Sequence, residues 1–169
     1  MNLHDAERLA LSLMRQHGLI DAGWRFRWSR GKRQLGAAQV RPRRDARTGQ
    51  VTYVRTIRLS QHLVQLNPDA EVRDTILHEI AHALVGVEHG HDAAWRAVCR
   101  QIGARPQRLA GEEVVTPPAR YELVCPGCER VLGQRHRRVN VRWLKRVYCR
   151  FCGPASKGRL AVRDARHTA

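Results

Sequence analysis

Residues His78-Glu79-Ile80-Ala81-His82 bring together two metal-binding imidazoles and a carboxylate at helical spacing. On a helix of 3.6 residues per turn, positions i and i+4 lie one turn apart and about 40° round the axis. Two imidazoles placed so can reach one ion at about 2.0–2.1 Å. Glu79 lies about 100° round from His78, badly placed for a third ligand but close enough to touch a water at the ion. Zinc acidifies such a water and polarises a carbonyl, and a neighbouring carboxylate can take the proton. The pattern therefore predicts metal-assisted hydrolysis, with His78 and His82 as ligands and Glu79 as general base. A catalytic zinc also needs a third protein ligand and an open position. A metzincin pattern would place Gly at 85 and His at 88. Those positions hold Val85 and Glu88, so it fails, and His89 and His91 remain as candidates.

A second cluster is Cys125-Pro-Gly-Cys128 and Cys149-Arg-Phe-Cys152, two C-x-x-C knuckles separated by 20 residues. Thiolates from two tight turns make a closed tetrahedral zinc site with no room for substrate, which predicts a structural ion. The fifth cysteine, Cys99, has no partner at a suggestive spacing and reads as core. Between the knuckles, Arg135, Arg137, Arg138, Arg142, Lys145 and Arg146 interleave with Trp143 and Tyr148. Basic side chains can hold phosphates while an exposed ring stacks on a base. For Trp143 the preferred reading is different: Val139, Val141 and Trp143 alternate as the buried face of a strand, with Arg138 and Arg142 outside. His136 reads as a basic-loop residue.

These groups need elements to hold them. Residues 67–86 (NPDAEVRDTILHEIAHALVG) give the best helix, with Asp69 as N-cap, apolar residues at Val72, Ile76, Ile80, Ala83 and Leu84, and a stop at Gly86. Asp74, one turn before His78, reads as an acid complementing the helix dipole, with a hydrogen bond to a ligand imidazole as the alternative. After the break at VEHGH, a second helix runs to Gly103 and places Trp95, Val98, Cys99 and Ile102 in the core. Residues 3–17 predict an amphipathic helix. Trp24–Trp28, residues 34–40 and residues 51–59 predict strands, with a basic hairpin-like loop, RPRRDARTGQ, between the last two. The organisation expected is a metal-binding domain over 1–106, a linker or crossing segment over 107–119, a zinc-ribbon module over 120–163 and a tail over 164–169. The fold class expected is α+β: helix, small three-stranded sheet, metal helix, second helix and ribbon.

The formal net charge is +16, with 28 arginines and three lysines. It is unevenly spread: +9 over residues 1–60, −3 over 61–103 and +10 over 104–169. Two basic blocks around an acidic centre favour a polyanionic partner, most simply nucleic acid. No apolar run approaches the ~18 residues of a membrane span. The first 18 residues carry early acids and read as a mature helix rather than a signal peptide, so the cytoplasm is the expected compartment.

Together, Leu77–Leu84 and Gly90-His91-Asp92-Ala93-Ala94-Trp95 resemble the SprT-like family, relatives of the eukaryotic Spartan proteases. That family pairs H-E-x-x-H with a G-H-G-x-x-F/W segment and a C-terminal zinc ribbon. The resemblance implies a zincin-like fold, His91 as third ligand of a catalytic zinc, a structural zinc in the ribbon, and proteolysis of proteins associated with or crosslinked to DNA. Asp92 stands where the family usually has Gly, a position that suits an N-cap. The competing reading is a nucleic-acid-binding accessory protein whose histidine site does no catalysis.

Overall fold

The computed structural model describes residues 1–107 and 114–165. The expected linker and tail fall partly on 108–113 and 166–169, which lie outside the described residues. The chain divides into two compact units, Met1–Pro117 and Pro118–Ala169. The architecture is α+β, with one small sheet in each unit.

The first unit opens with helix α1 (Leu3–Gln16), capped by the Asn2 side chain, which accepts from the Asp5 N–H. Its buried residues Ala6, Ala10, Leu13 and Met14 recur at helical spacing and face the core. Strands β1 (Trp24–Ser29), β2 (Gly36–Arg44) and β3 (Val51–Ser60) form a sheet of order β1-β3-β2, parallel between β1 and β3 and antiparallel between β2 and β3. Strand β3 starts where its pattern implied, whereas β2 starts two residues later and runs four residues further, so the connection shrinks to residues 45–50. There Asp45 accepts from the Arg47 and Thr48 N–H groups at 2.9 and 2.8 Å. A short helix, α2 (Gln61–Leu66), follows at once; its six residues are too few to show a period.

Helix α3 (Asp69–Val85) is the spine of this unit and packs against α1, β2, β3 and helix α4 (Ala93–Ile102). Val72, Ile76, Leu77, Ile80 and Ala81 are essentially fully buried. Each large one contributes roughly 1.5–3 kcal/mol by leaving water. Two details depart from expectation. Pro68 rather than Asp69 occupies the N-cap position, and Asp69 pairs with the Met1 ammonium at 3.2 Å. The second helix starts as expected, with the Asp92 carboxylate accepting from the Trp95 N–H at 2.9 Å, and ends at Gly103, which adopts φ +76°. Trp95 and Cys99 are fully buried, while Val98 and Ile102 pack at the core's edge.

The second unit holds β4 (Tyr121–Val124), β5 (Val131–Arg135) and β6 (Ala161–Asp164) in the order β5-β4-β6, all antiparallel. Its buried apolar cluster is small: Leu123, Cys125, Cys149 and Leu160. The expected strand through Val139, Val141 and Trp143 does not form. Val141–Leu144 is instead a single helical turn, α5, whose N-cap Asn140 accepts from the Arg142 N–H at 2.8 Å. The alternation was misleading because the apolar contacts are made by Leu144 and Val147, three residues apart. Val141 is 65% and Trp143 39% exposed.

Candidate metal centre

Helix α3 puts His78 and His82 on one face, and the Asp92 cap fixes the residue before it, His91, opposite them. The His91 Nε2 atom lies 3.3 Å from His82 Nε2 and 3.2 Å from His78 Nε2. A tetrahedral zinc bound at about 2.05 Å holds two nitrogens about 3.3 Å apart, so the spacing fits such an ion. The three rings share one support. Trp95 stacks on His82 at 5.2 Å between centroids and meets His78 and His91 edge-on at 4.7 and 4.6 Å. Burial, reinforced by its two histidine neighbours, lowers the His78 pKa to about 4; burial also lowers that of His82. Both rings are thus neutral near pH 7, the form a metal requires. His89 stands outside this cluster. It is half-buried and pairs through Nδ1 with Asp92 Oδ2 at 2.7 Å, which raises its pKa.

Glu79 points from α3 toward the edge strand β2. It is 6% exposed, and burial raises its pKa to about 7, opposed by one hydrogen bond: the Ala38 N–H donates to Oε2 at 2.7 Å. The strand can approach this closely because residue 36 is glycine. A Cβ there would lie 2.7 Å from Glu79 Cγ and 2.8 Å from Thr75 Cγ2. Histidines and carboxylate together line an open cleft of about 770 Å³, walled by Leu35–Gln39 on one side and by Arg105, Gln107, Val114 and Thr116 on another.

Asp74 takes neither expected role. Its carboxylate accepts from the Arg105 backbone N–H and from Arg105 Nε, both at 2.8 Å, while the same guanidinium reaches Glu71 Oε2 at 2.6 Å. These bonds tie the chain after α4 back onto α3. Residue Asn67 does the same further on: it donates to the Val115 carbonyl at 2.9 Å and accepts from the Val115 N–H at 2.8 Å. Nothing in the spacing of Arg105 or Asn67 announced these contacts. Gly36 carried a weak signal, since a glycine inside a strand pattern often marks a close approach.

In the second unit, the four sulfurs of Cys125, Cys128, Cys149 and Cys152 also converge. Cys125 and Cys152 are 3.8 Å apart, and Cys128 and Cys149 are 3.7 Å apart. Ligands about 2.3 Å from a tetrahedral zinc are separated by about 3.8 Å, so this set also fits. Backbone turns shape the knuckles: Glu129 N–H to Cys125 O at 2.7 Å and Gly153 N–H to Cys149 O at 2.9 Å. Cys99, by contrast, is enclosed in the first unit's core, where burial raises its thiol to about 11. Arg135, Arg137, Arg138, Arg142, Lys145 and Arg146 are all exposed and none is ion-paired among the described residues. Tyr148 and Phe151 are half exposed, and the Phe151 ring lies under the Arg130 and Arg150 guanidinium groups at 4.2 and 4.7 Å.

A family model described as the SprT-like family matches residues 8–115, which run from within α1 to beyond α4. A comparison with curated proteins returned no match. Among the described residues, no helix is long and apolar enough to cross a membrane.

Proposed function

The chain belongs to the SprT-like family, and from that premise we propose that it is a zinc-dependent metalloendopeptidase acting on proteins associated with, or crosslinked to, DNA in the cytoplasm. One observation carries the hydrolase reading: three imidazole nitrogens converge at zinc-ligand spacing in an open cleft that a buried carboxylate also lines. His78, His82 and His91 would hold the ion. Bound zinc supplies Lewis acidity to the scissile carbonyl and lowers the pKa of the attacking water. Glu79 takes the proton from that water and passes it to the leaving amine. The Ala38 N–H fixes its carboxylate, while burial raises its affinity for the proton. Trp95 keeps the three rings in register. The four cysteines would hold a second, structural zinc.

The DNA part of the reading is supported by the +16 charge and by the exposed basic set of the second unit beside Trp143, Tyr148 and Phe151. Stacked rings and phosphate-binding cations are the usual means of holding a single strand.

The test is Glu79→Gln. The full-length variant should keep two zinc ions per chain and lose cleavage of a DNA-bound protein substrate by about three orders of magnitude. Undiminished cleavage would remove the mechanism. A wild-type protein that binds DNA but cleaves nothing, bound or free, would be the accessory protein instead. DNA affinity should fall steeply with salt as Arg and Lys release counterions.

A further inference from the structure

The β2–β3 hairpin runs past the end of β1. Pairing of β1 stops at Trp24 with Arg55, so Arg41–Arg44 and Val51–Val54 pair only with each other. Every residue from Arg41 to Arg55 is exposed. A two-stranded ribbon with no core on either face is marginal by itself. Yet this one carries strand formers that bury little, with Tyr53 63% and Val51 47% exposed.

Its charge points to what would cover it. Arg41, Arg43, Arg44, Arg47 and Arg55 stand against a single acid, Asp45. The Asp45 carboxylate is engaged inside the turn by Arg47 N–H, Thr48 N–H and Thr48 Oγ1, which lowers its pKa. Among the described residues none of the five arginines is ion-paired. Arg44 and Arg55 each donate a hydrogen bond to a backbone carbonyl, of Gly49 and Ala22.

The register sorts these side chains by face. Pro42 opposes Tyr53, Arg44 opposes Val51 and Val40 opposes Arg55, so Tyr53 shares its face with Arg44 and Arg55. Arg41 and Arg43 share the other face, about 7 Å apart along the strand. Cations on both faces suit a polyanion that can follow and enclose the ribbon, and they do not suit a planar lipid surface. An exposed ring on the same face as two arginine positions suits an unpaired base.

We infer that this ribbon is a second nucleic-acid contact, in which the arginines hold the phosphates of a single strand and Tyr53 stacks on one of its bases. It is distinct from the basic set of the second unit and sits in the same unit as the histidine cluster. The strand that carries Arg43 also carries Ala38, whose N–H holds Glu79, only five residues away. That is about 17 Å of extended chain, so a protein attached to the bound strand is held near the cleft. Binding itself does not depend on the hydrolytic reading.

Anisotropy of a fluorescein-labelled, mixed-sequence single-stranded DNA, titrated with the full-length protein over a range of salt, tests it. The triple variant Arg41→Ala, Arg43→Ala, Arg44→Ala should bind more than tenfold more weakly, with the log–log salt slope flattened by about two. Tyr53→Ala should cost about tenfold, and Tyr53→Trp should restore it. All these positions are exposed, and unchanged zinc content and circular dichroism would verify folding. Wild-type affinity in both hairpin variants overturns the inference. If only Arg142→Ala, Lys145→Ala, Arg146→Ala weakens binding, the inference fails while the proposed DNA association stands. If the wild type shows no salt-dependent binding, both fail.

Discussion

The two ligand clusters of this chain are held by opposite means. In the first unit, two imidazoles project from α3 and a third from the residue before the cap of α4, and a core of nineteen buried residues fixes the positions of both helices. In the second, two of the four ligands, Cys125 and Cys149, are themselves half of a four-residue core. The histidine cluster is thus a passenger on a fold that exists without it, with one side left open to the cleft. The cysteine cluster is a structural member, with Cys125 and Cys149 buried in that core, and its ion would replace the apolar burial that a unit of this size cannot supply. A metal that performs chemistry can be lost without loss of structure only where the fold is complete around it.

The contrast can be broken most directly at the cysteines. Cys125→Ser together with Cys149→Ser should unfold the second unit, since structural zinc binding is worth about 10–16 kcal/mol. Hydrogen exchange should become fast over residues 118–165 while protection of α3 persists; protection retained in both units would refute the contrast. Next in size is His91→Ala. It should lower zinc content from two ions to one and abolish cleavage while the first unit's thermal transition stays in place. A collapse of that unit would show the histidine site to be structural as well.

Gly36→Ala sharpens the comparison by attacking geometry rather than ligands. The added methyl must displace Glu79, so kcat should fall about ten- to a hundredfold with both zincs bound. An unaltered kcat would show that the strand can yield. Smallest is Arg105→Ala, which leaves the nearly buried Glu71 carboxylate unpaired. Unfolding of the first unit should become about 1–2 kcal/mol easier in denaturant. No change would mean that Glu71 recruits water.

Much of this was legible in the sequence because it rests on local periodicity. The i, i+4 spacing of His78 and His82 survives any tertiary arrangement that keeps α3 a helix, and C-x-x-C makes a knuckle wherever it folds. The apolar repeats of α1 and α4 likewise located their buried faces, and that of α3 did so at Val72, Ile76 and Ile80, although Leu84 is exposed and Ala83 only partly buried, while the Asp92 cap followed from a short polar side chain before a helical pattern. Where the local signal was short, it failed. Four residues around Trp143 fitted a strand as well as a helical turn, and only contact with Leu144 and Val147 decided between them. Asp74 looked like a dipole-compensating acid because its partner, Arg105, lies 31 residues away.

The sequence by itself determined which groups are paired at metal-ligand spacing: two imidazoles on one helical face, two thiols in each of two turns. Spacing left His89 and His91 both open, the family resemblance implied His91, and the tertiary structure brings His91 to the triangle; only that structure decided that a glycine in a distant strand lets a backbone N–H hold Glu79, and that one tryptophan supports all three rings. The division has a physical origin. Pairwise spacing within one element is set by backbone geometry, whereas convergence between elements depends on how their buried faces pack, and that is a property of the whole core.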